Sequence, residues 1–466
     1  ALELAAKDSD ARVRRAAFAA VLLGVPAPAA AKSEDDAQPE TLPADLVAWI
    51  ATRLGTEADS RTREDLVVAL GRKGLKSALP ALVGALADKD PWVRVCAAVS
   101  IGKTRLEEAV PPLAQRIDDS DWKLRGACVV GLGQTYQKAA VAHLIKRVED
   151  DEPAIARAAI GFLETFSRRT DIAATVAAWS AWWADKEKST TIVDPETAED
   201  RASKYGYSTN WEQIYGGLDV VVLDSRGDHI QKVLQKLGIE HRLTQAAKIT
   251  EDAVRPAAVF VANCTGEIEK PDVEHLAWFV RAGGYLFGSC WAVTHTIEEV
   301  YPGVLRHYET TGEVIDLVGA APCGGASPFL ENVFEEGVEP LYSLLGAHLI
   351  EVVDPERVEV LIDSPECAEE WGEGNLAAWF PAGHGVVLDS VNHFEEQGFA
   401  TAEGLKKPVD RQAYAVDHMG LSWEKLRESR DASFWDSSSK AGAEILDLSV
   451  FRLVTNFVRH KRLGGH

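Results

Sequence analysis

Cys290 closes the run Gly284-Tyr285-Leu286-Phe287-Gly288-Ser289 and precedes Trp291-Ala292. Later in the chain, Val386-Val387-Leu388-Asp389-Ser390-Val391-Asn392 leads into His393-Phe394-Glu395. An apolar run ending in Gly-Ser-Cys predicts a strand that delivers a thiol at its carboxyl end. A helix beginning directly behind it would lower the thiol pKa through its N-terminal dipole. A second strand ending at His393 would set an imidazole beside the thiol, with Glu395 orienting the ring. The chemistry expected of that set is attack of a thiolate on a carbonyl. His393 would accept and return the proton, and Glu395 would fix the tautomer. The alternative reading is a buried structural thiol and a hydrogen-bonded ring.

An oxyanion would need backbone N–H donors. Cys264, Cys290, His295 and His393 all fall at predicted strand ends, and thiols and imidazoles are metal ligands. Their spacing matches no metal signature, so no metal ligand and no cofactor are assigned. Asp224-Ser225-Arg226-Gly227-Asp228 follows the first apolar strand and reads as a cleft loop in which Arg226 could hold an anion. His307, His348 and His384 read as ordinary surface or core residues.

The elements that must position these residues begin at Asp219-Val220-Val221-Val222-Leu223-Asp224, a short apolar strand. A helix over 229–237 ends at Gly238, and 258–262 is a second buried strand. A helix over 272–282 stops at Gly283-Gly284. Later strands are predicted over 358–362, 376–380 and 385–391, and an amphipathic helix over 446–459 closes the chain. Strands alternating with single helices predict a parallel sheet. Segments 301–350 and 396–440 read as insertions near its carboxyl edge, where such folds place clefts.

The first third is an internal repeat. Asp59, Asp90 and Asp121 are spaced by 31 residues, and each is followed four residues later by Arg63, Arg94 or Arg125. Asp10 and Arg14 form an earlier copy, and a fifth copy near Glu152 and Arg157 slips by one residue. Leu86, Ile117 and Val148 keep the same register. Two amphipathic helices per unit of this length predict an α-solenoid. Each Asp is placed to cap the second helix of its repeat, and each Arg to reach carboxylates along the stack. The period and the Asp-x-x-x-Arg pair resemble HEAT-like repeats. Residues 26–42 read as a flexible insertion, Trp179, Trp182 and Trp183 as core at the solenoid end, and 186–203 as linker.

A chain of 466 residues accommodates two or three domains. A net charge of −23 repels nucleic acid and anionic membrane, so neither is expected as a partner. No apolar stretch reaches membrane-spanning length. The six Cys form no disulfide framework, although Cys323 and Cys367 could pair in an oxidising compartment. A chain that starts at Ala1 with Met419 as its one Met reads as a trimmed form. A removed targeting segment stays open, with a soluble, cytoplasmic protein expected.

Residues 216–466 resemble the class I glutamine amidotransferase-like superfamily, which has an elbow Cys and a later His-x-Glu in this order. Three stretches carry a resemblance to its trehalose-utilisation-like (ThuA-like) branch: Val259 to Gly266, Phe279 to Tyr285, and Ala378-Trp379-Phe380 leading to Gly383-His384-Gly385-Val386-Val387. Ala292 stands where the family's glutaminases have Gly. The resemblance implies oxyanion donors at Trp291 and in the loop Asn263-Cys264-Thr265-Gly266.

The expected architecture is a right-handed α-solenoid of HEAT-like repeats (1–170), a terminal helix and linker (171–215), and a doubly wound, flavodoxin-like α/β domain (216–466). The expected function is a scaffold that grips a protein partner through the solenoid, its α/β domain a ligand-binding or assembly module for a small molecule. The alternatives are a cysteine-dependent amidohydrolase or acyl-transfer enzyme, and, by resemblance, carbohydrate binding or processing.

Overall fold

The computed structural model describes residues 10, 14, 42–72, 74–194, 215–252, 255, 258–309, 317–334, 340–344, 348–393, 416 and 444–463. The predicted insertions 26–42 and 396–440 lie outside these, apart from Leu42 and Val416, as does most of the linker. The chain divides into two compact units. One is Ala1–Asp194 with Glu251–Pro256 and Arg281–Gly283, and the other is the remainder.

The first unit is helical. Its elements are α1 Ala44–Leu54, α2 Ser60–Leu70, α3 Leu79–Ala85, α4 Pro91–Lys103, α5 Val110–Ala114, α6 Trp122–Gln134, α7 Val141–Ile145, α8 Pro153–Ser167 and α9 Val176–Lys186. The short helices α3 and α5 start on prolines, whose missing N–H costs nothing at a helix start. The second helix of each repeat is buried almost throughout, as in α4, where Val93 and Val95 to Gly102 are inaccessible.

The repeated polar residues do what their spacing predicts. Asp59, Asp90 and Asp121 cap α2, α4 and α6, accepting from the N–H groups of Thr62, Trp92 and Lys123 at 2.8, 2.8 and 3.1 Å. Arg63 grips Asp88 through two contacts of 2.8 and 2.9 Å, and Arg125 grips Asp150 at 3.1 and 3.0 Å. Arg94 instead reaches the capping Asp121, at 2.8 Å. Each Arg also donates to a carbonyl six residues back, at Glu57, Asp88 and Asp119. Burial opposes the charge on Asp88 and Asp150, yet their Arg and backbone N–H partners hold both below the usual carboxylate range. The slipped fifth copy differs as its sequence does, since Glu152 at the start of α8 makes no side-chain cap.

A second repeat signal sits in the same register. Gly71, Gly102 and Gly133 are spaced by 31 residues. A Cβ on Gly102 would lie 2.2 Å from the carbonyl oxygen of Gly131, so α4 and α6 meet backbone to backbone. Trp179 of α9 is fully buried, with Trp182 set edge-on at 5.6 Å.

Among the described residues the second unit holds twelve strands: β1 Val220–Leu223, β2 Arg242–Thr244, β3 Val259–Ala262, β4 Tyr285–Ser289, β5 Leu305–Tyr308, β6 Leu317–Gly319, β7 Ala321–Pro322, β8 Leu341–Ser343, β9 Leu349–Val352, β10 Glu359–Asp363, β11 Asn375–Ala382 and β12 Gly385–Ser390. Eight form one sheet in the order β2-β1-β3-β4-β12-β11-β10-β7. The first five pair in parallel, and β11, β10 and β7 extend the sheet antiparallel. The expectation of a wholly parallel sheet is therefore corrected to a mixed one. Its physical reason is the two-residue connection Gly383-His384 between paired Ala382 and Gly385. Gly383 there has φ of +58°, which closes a hairpin and leaves no room for a crossover helix. Segment 301–350 also carries strands, with β5 pairing β9 and β6 pairing β8.

Helices cover both faces of the parallel half. On one face Phe279 of α11 (Lys270–Arg281) packs edge-on to Phe260 of β3, with ring centroids 6.4 Å apart. On the other face Phe457 of α13 (Glu444–Leu463) packs on Tyr285 and Phe287 of β4, each at 5.3 Å. Two further helices, α10 (Ile230–Lys236) and α12 (Pro365–Trp371), follow β1 and β10.

Candidate functional site

Four neighbouring parallel strands, β1, β3, β4 and β12, end at one edge of the sheet and release four loops there. Those loops carry Asp228, Cys264, Cys290 and His393. The apolar strands fix where each loop starts, and the sheet order rather than the sequence order makes them neighbours. Cys290 has φ of +51°, a left-handed conformation that a non-glycine residue adopts at a cost. Its N–H still bonds the Ser390 carbonyl at 2.9 Å, extending the β4–β12 ladder by one residue. Helix begins at Ala292 and winds as wide π turns over Val293–Glu298. Strand, strained residue and helix together form a nucleophile-elbow geometry.

Cys264 and Cys290 are buried, at 3% and 1% exposure. Their sulfurs and a ring nitrogen of His393 all lie within 4.8 Å of one another. The two sulfurs face each other, so that ionising one opposes ionising the other. The Cys290 S–H, His393 and the Trp291 N–H outweigh burial and bring Cys264 down to about 5. Cys290 is pushed up, because losing its proton would set a second thiolate against the first in a buried place. The thiol held below its ordinary value is Cys264, whereas Cys290, on which the helix dipole was expected to act, is raised.

The surrounding loops hold the pair closely. A Cβ on Gly227 would lie 2.8 Å from the Cys264 sulfur, so the loop after β1 presses directly on it. The Gly227 N–H bonds the Cys264 carbonyl at 2.9 Å. Ser289 accepts the Cys264 N–H at 3.1 Å, Ser225 accepts the Thr265 N–H at 2.7 Å, and Asn263 accepts the Ile230 N–H at 3.2 Å. The Cys264–Thr265 peptide is cis. Gly266 offers its carbonyl to the Thr296 hydroxyl. Of the loop expected to supply oxyanion donors, Cys264 thus faces the site with its sulfur, while the N–H groups of Cys264 and Thr265 are committed to serines. The Trp291 N–H faces the two sulfurs.

Two acids complete the environment. Asp228 is 1% exposed, bonds Ser289, and is raised by burial to about 6 against the opposing charge of His393. Asp389 of β12 is fully buried, and neither of its oxygens has a hydrogen-bond partner among the described residues. Burial and the nearby Cys264 raise it well above the carboxylate range. A Cβ on Gly288 would meet Asp389 Oδ1 at 2.3 Å, so glycine is what admits that carboxyl.

Glu395, expected to orient His393, lies outside the described residues, and Asp228 is the described carboxyl whose charge acts on His393. Arg226 is exposed on the loop after β1. His295 stacks on Trp291 at 5.9 Å rather than joining the thiols. His307 and His348 are both half-buried and gather on Trp291. His307 lies 6.0 Å from the Trp291 ring and 5.1 Å from His348, which also touches Trp291. Burial, then His307 and His295, lowers His348 to about 4. No local motif marks this group, because Trp291, β5 and the start of β9 meet only in the fold. Cys323 and Cys367 are both free thiols, as are the other four cysteines.

No curated protein matches the chain in sequence. Among solved structures, a β-galactosidase from Bacillus circulans sp. alkalophilus is 14% identical over 38% of this chain and 28% of its own, with a TM-score of 0.27. A β-galactosidase from Rahnella sp. R3 is 11% identical over 82% and 62%, with a TM-score of 0.27. The exo-β-1,4-mannosidase Op5Man5 from Opitutaceae bacterium strain TAV5 is 10% identical over 78% and 75%, with a TM-score of 0.26. The chain spans 28%, 32% and 38% of the length of three such β-galactosidase chains. Likeness this low carries no argument about fold or ligand. Among the described residues no helix is long and apolar enough to cross a membrane. Residues 47–127 and 110–179 match HEAT repeats, and with the helix pairs and Asp–Arg ladder above they make the N-terminal unit a HEAT-like solenoid suited to protein interaction.

Proposed function

We infer that this is a HEAT-repeat interaction protein whose α/β unit carries a thiol-dependent acyl-transfer or amide-hydrolysing site. The observation that carries the reading is the meeting of Cys264, Cys290 and His393 within 4.8 Å at a strained strand-to-helix elbow. The solenoid's role is to grip a protein partner and bring it, or the complex it belongs to, to that site.

The chemistry follows from the shared proton. As the Cys290 sulfur attacks a carbonyl carbon, its proton passes to Cys264, and the pair's negative charge moves to the carbonyl oxygen. Protonated Cys264 then releases the Trp291 N–H to the oxyanion. Collapse breaks the bond to the leaving amine, which takes a proton through His393. Water, deprotonated by His393, cleaves the thioester and returns the thiol.

The strand order of the parallel half, in which the second strand flanks the first and the rest follow in sequence, is the flavodoxin-like order. Helices on both faces support the doubly wound reading. The elbow at Cys290 with His393 on the adjacent strand supports the glutamine amidotransferase-like resemblance and its ThuA-like branch. One observation favours a non-catalytic ligand-binding module instead: the Trp291 N–H is already engaged by sulfur.

The same experiment separates the two readings. With p-nitrophenyl acetate, the full chain should release a burst of one nitrophenolate per molecule. Cys290→Ala should abolish the burst, and His393→Ala should slow turnover of the acyl-enzyme. A burst that survives in Cys290→Ala, or none in the wild type, contradicts the catalytic reading.

A further inference from the structure

We propose that Cys264, Cys290 and His393 form a three-ligand site for a thiophilic divalent cation, of which Zn²⁺ is the representative. This goes beyond the acyl-transfer reading and makes metal binding a way to block the nucleophile. Among the described residues these three form the group whose ligand atoms converge, within 4.8 Å of one another. In a tetrahedral zinc site with Zn–S near 2.3 Å and Zn–N near 2.0 Å, donors stand about 3.5–3.8 Å apart. The donors need to draw together by about 1.3 Å at most, within rotamer adjustment.

The donor set suits the ion. Two thiolates and an imidazole are soft and borderline ligands that hard cations such as Mg²⁺ disfavour. Three protein donors with a fourth position left to water or ligand is the arrangement of open zinc sites. Each donor stands on a loop at the end of a different strand of one continuous sheet, so their separation is fixed before any ion arrives.

The surroundings resemble an outer shell. The Trp291 N–H faces the sulfurs, and the charge of Asp228 acts on His393. Backbone donors and carboxylates of this kind orient metal ligands. Gly227 backs the Cys264 sulfur so closely that a side chain there would displace it.

The test uses the full chain, reduced and treated with chelator, then titrated with Zn²⁺ against a chromophoric competitor and separately with Co²⁺. One tightly held ion per chain is expected, with a thiolate-to-cobalt charge-transfer band in the near ultraviolet. Cys264→Ser should cut that band to the share of one thiolate or less and weaken Zn²⁺ binding by more than about 100-fold, beyond what loss of an outer-shell partner costs. His393→Ala, at a half-buried position that the fold tolerates more easily, should weaken it similarly while leaving a two-thiolate spectrum. Cys323→Ser should change neither. Absence of the charge-transfer band in the wild type, or unchanged affinity in both Cys264→Ser and His393→Ala, overturns the proposal. The acetate burst of the chelator-treated chain is read in parallel. A burst without metal binding removes this inference alone, and metal binding without a burst removes the acyl-transfer reading alone.

Discussion

The solenoid and the sheet edge bury polar groups in opposite ways. In the solenoid the buried guanidinium of Arg125 meets Asp150, a carboxylate with no exposed side-chain surface, through two contacts, and also bonds the Asp119 carbonyl. Arg63 does the same with Asp88, and Arg94 reaches the capping Asp121. At the sheet edge, Asp389 is buried with no hydrogen-bond partner among the described residues, two thiols face each other, and Cys290 holds a left-handed backbone. The solenoid spends its polar residues on holding repeats in register. The edge leaves strained and unsatisfied polar groups together, the pattern on which the proposed reading of a reacting or binding site rests.

That contrast can be broken by mutation, and the largest effect belongs to the ladder. Arg125→Ala should cost about 2 kcal/mol or more, because it removes two charge-assisted hydrogen bonds from buried Asp150 and leaves it to Arg147 at 3.2 Å. Urea unfolding followed by circular dichroism checks this, and a loss under about 1 kcal/mol would remove the ladder's structural role. Acid should act on the same ladder. Asp88 and Asp150 have folded pKa values below their unfolded ones, so their contribution is complete above the unfolded value of about 3.9. It is lost as pH falls from there through the folded values. The solenoid should therefore hold its stability from neutral pH down to about 4 and lose it below, whereas the double variant Asp88→Asn/Asp150→Asn should start lower and fall less steeply.

Capping is the next effect in size. Asp90→Ala removes the bond to the Trp92 N–H and should cost about 1 kcal/mol, read as a shift in the urea midpoint at constant slope. The smallest shift is expected at the edge itself. Asp389→Ala removes a buried acid that has no partner to lose, so stability should stay within about 1 kcal/mol of wild type or rise. A loss as large as that of Arg125→Ala would mean that Asp389 is structural, and the contrast between the two regions would fail.

The solenoid was legible because each repeat contains most of its own contacts. Asp90 caps the helix it begins, and Arg125 reaches the carboxylate one repeat on, so a period of 31 residues exposes both roles. The Gly71, Gly102 and Gly133 series carried the same period in plain view and marks backbone-to-backbone helix contact. The edge was half legible. The apolar runs before Cys290 and His393 announced strands that end in chemistry, but not which strands lie side by side. Cys264 becomes the partner of Cys290 because β3 pairs β4, and Asp228 approaches His393 through the loop after β1. The hairpin at Gly383-His384 had a local signal that the run of strands masked. The gathering of His307 and His348 on Trp291 had none.

The central claim is that the buried sulfurs at the sheet edge act as one reactive pair with His393. It is tested most directly by brief iodoacetamide labelling of the reduced, chelator-treated chain at neutral pH, with each cysteine quantified by peptide mass spectrometry. The account predicts that Cys264 or Cys290, although buried, is labelled ahead of half-buried Cys323, and that His393→Ala slows this labelling. Labelling of Cys323 first, with Cys264 and Cys290 as slow as the solenoid's Cys96 and Cys128, would contradict it.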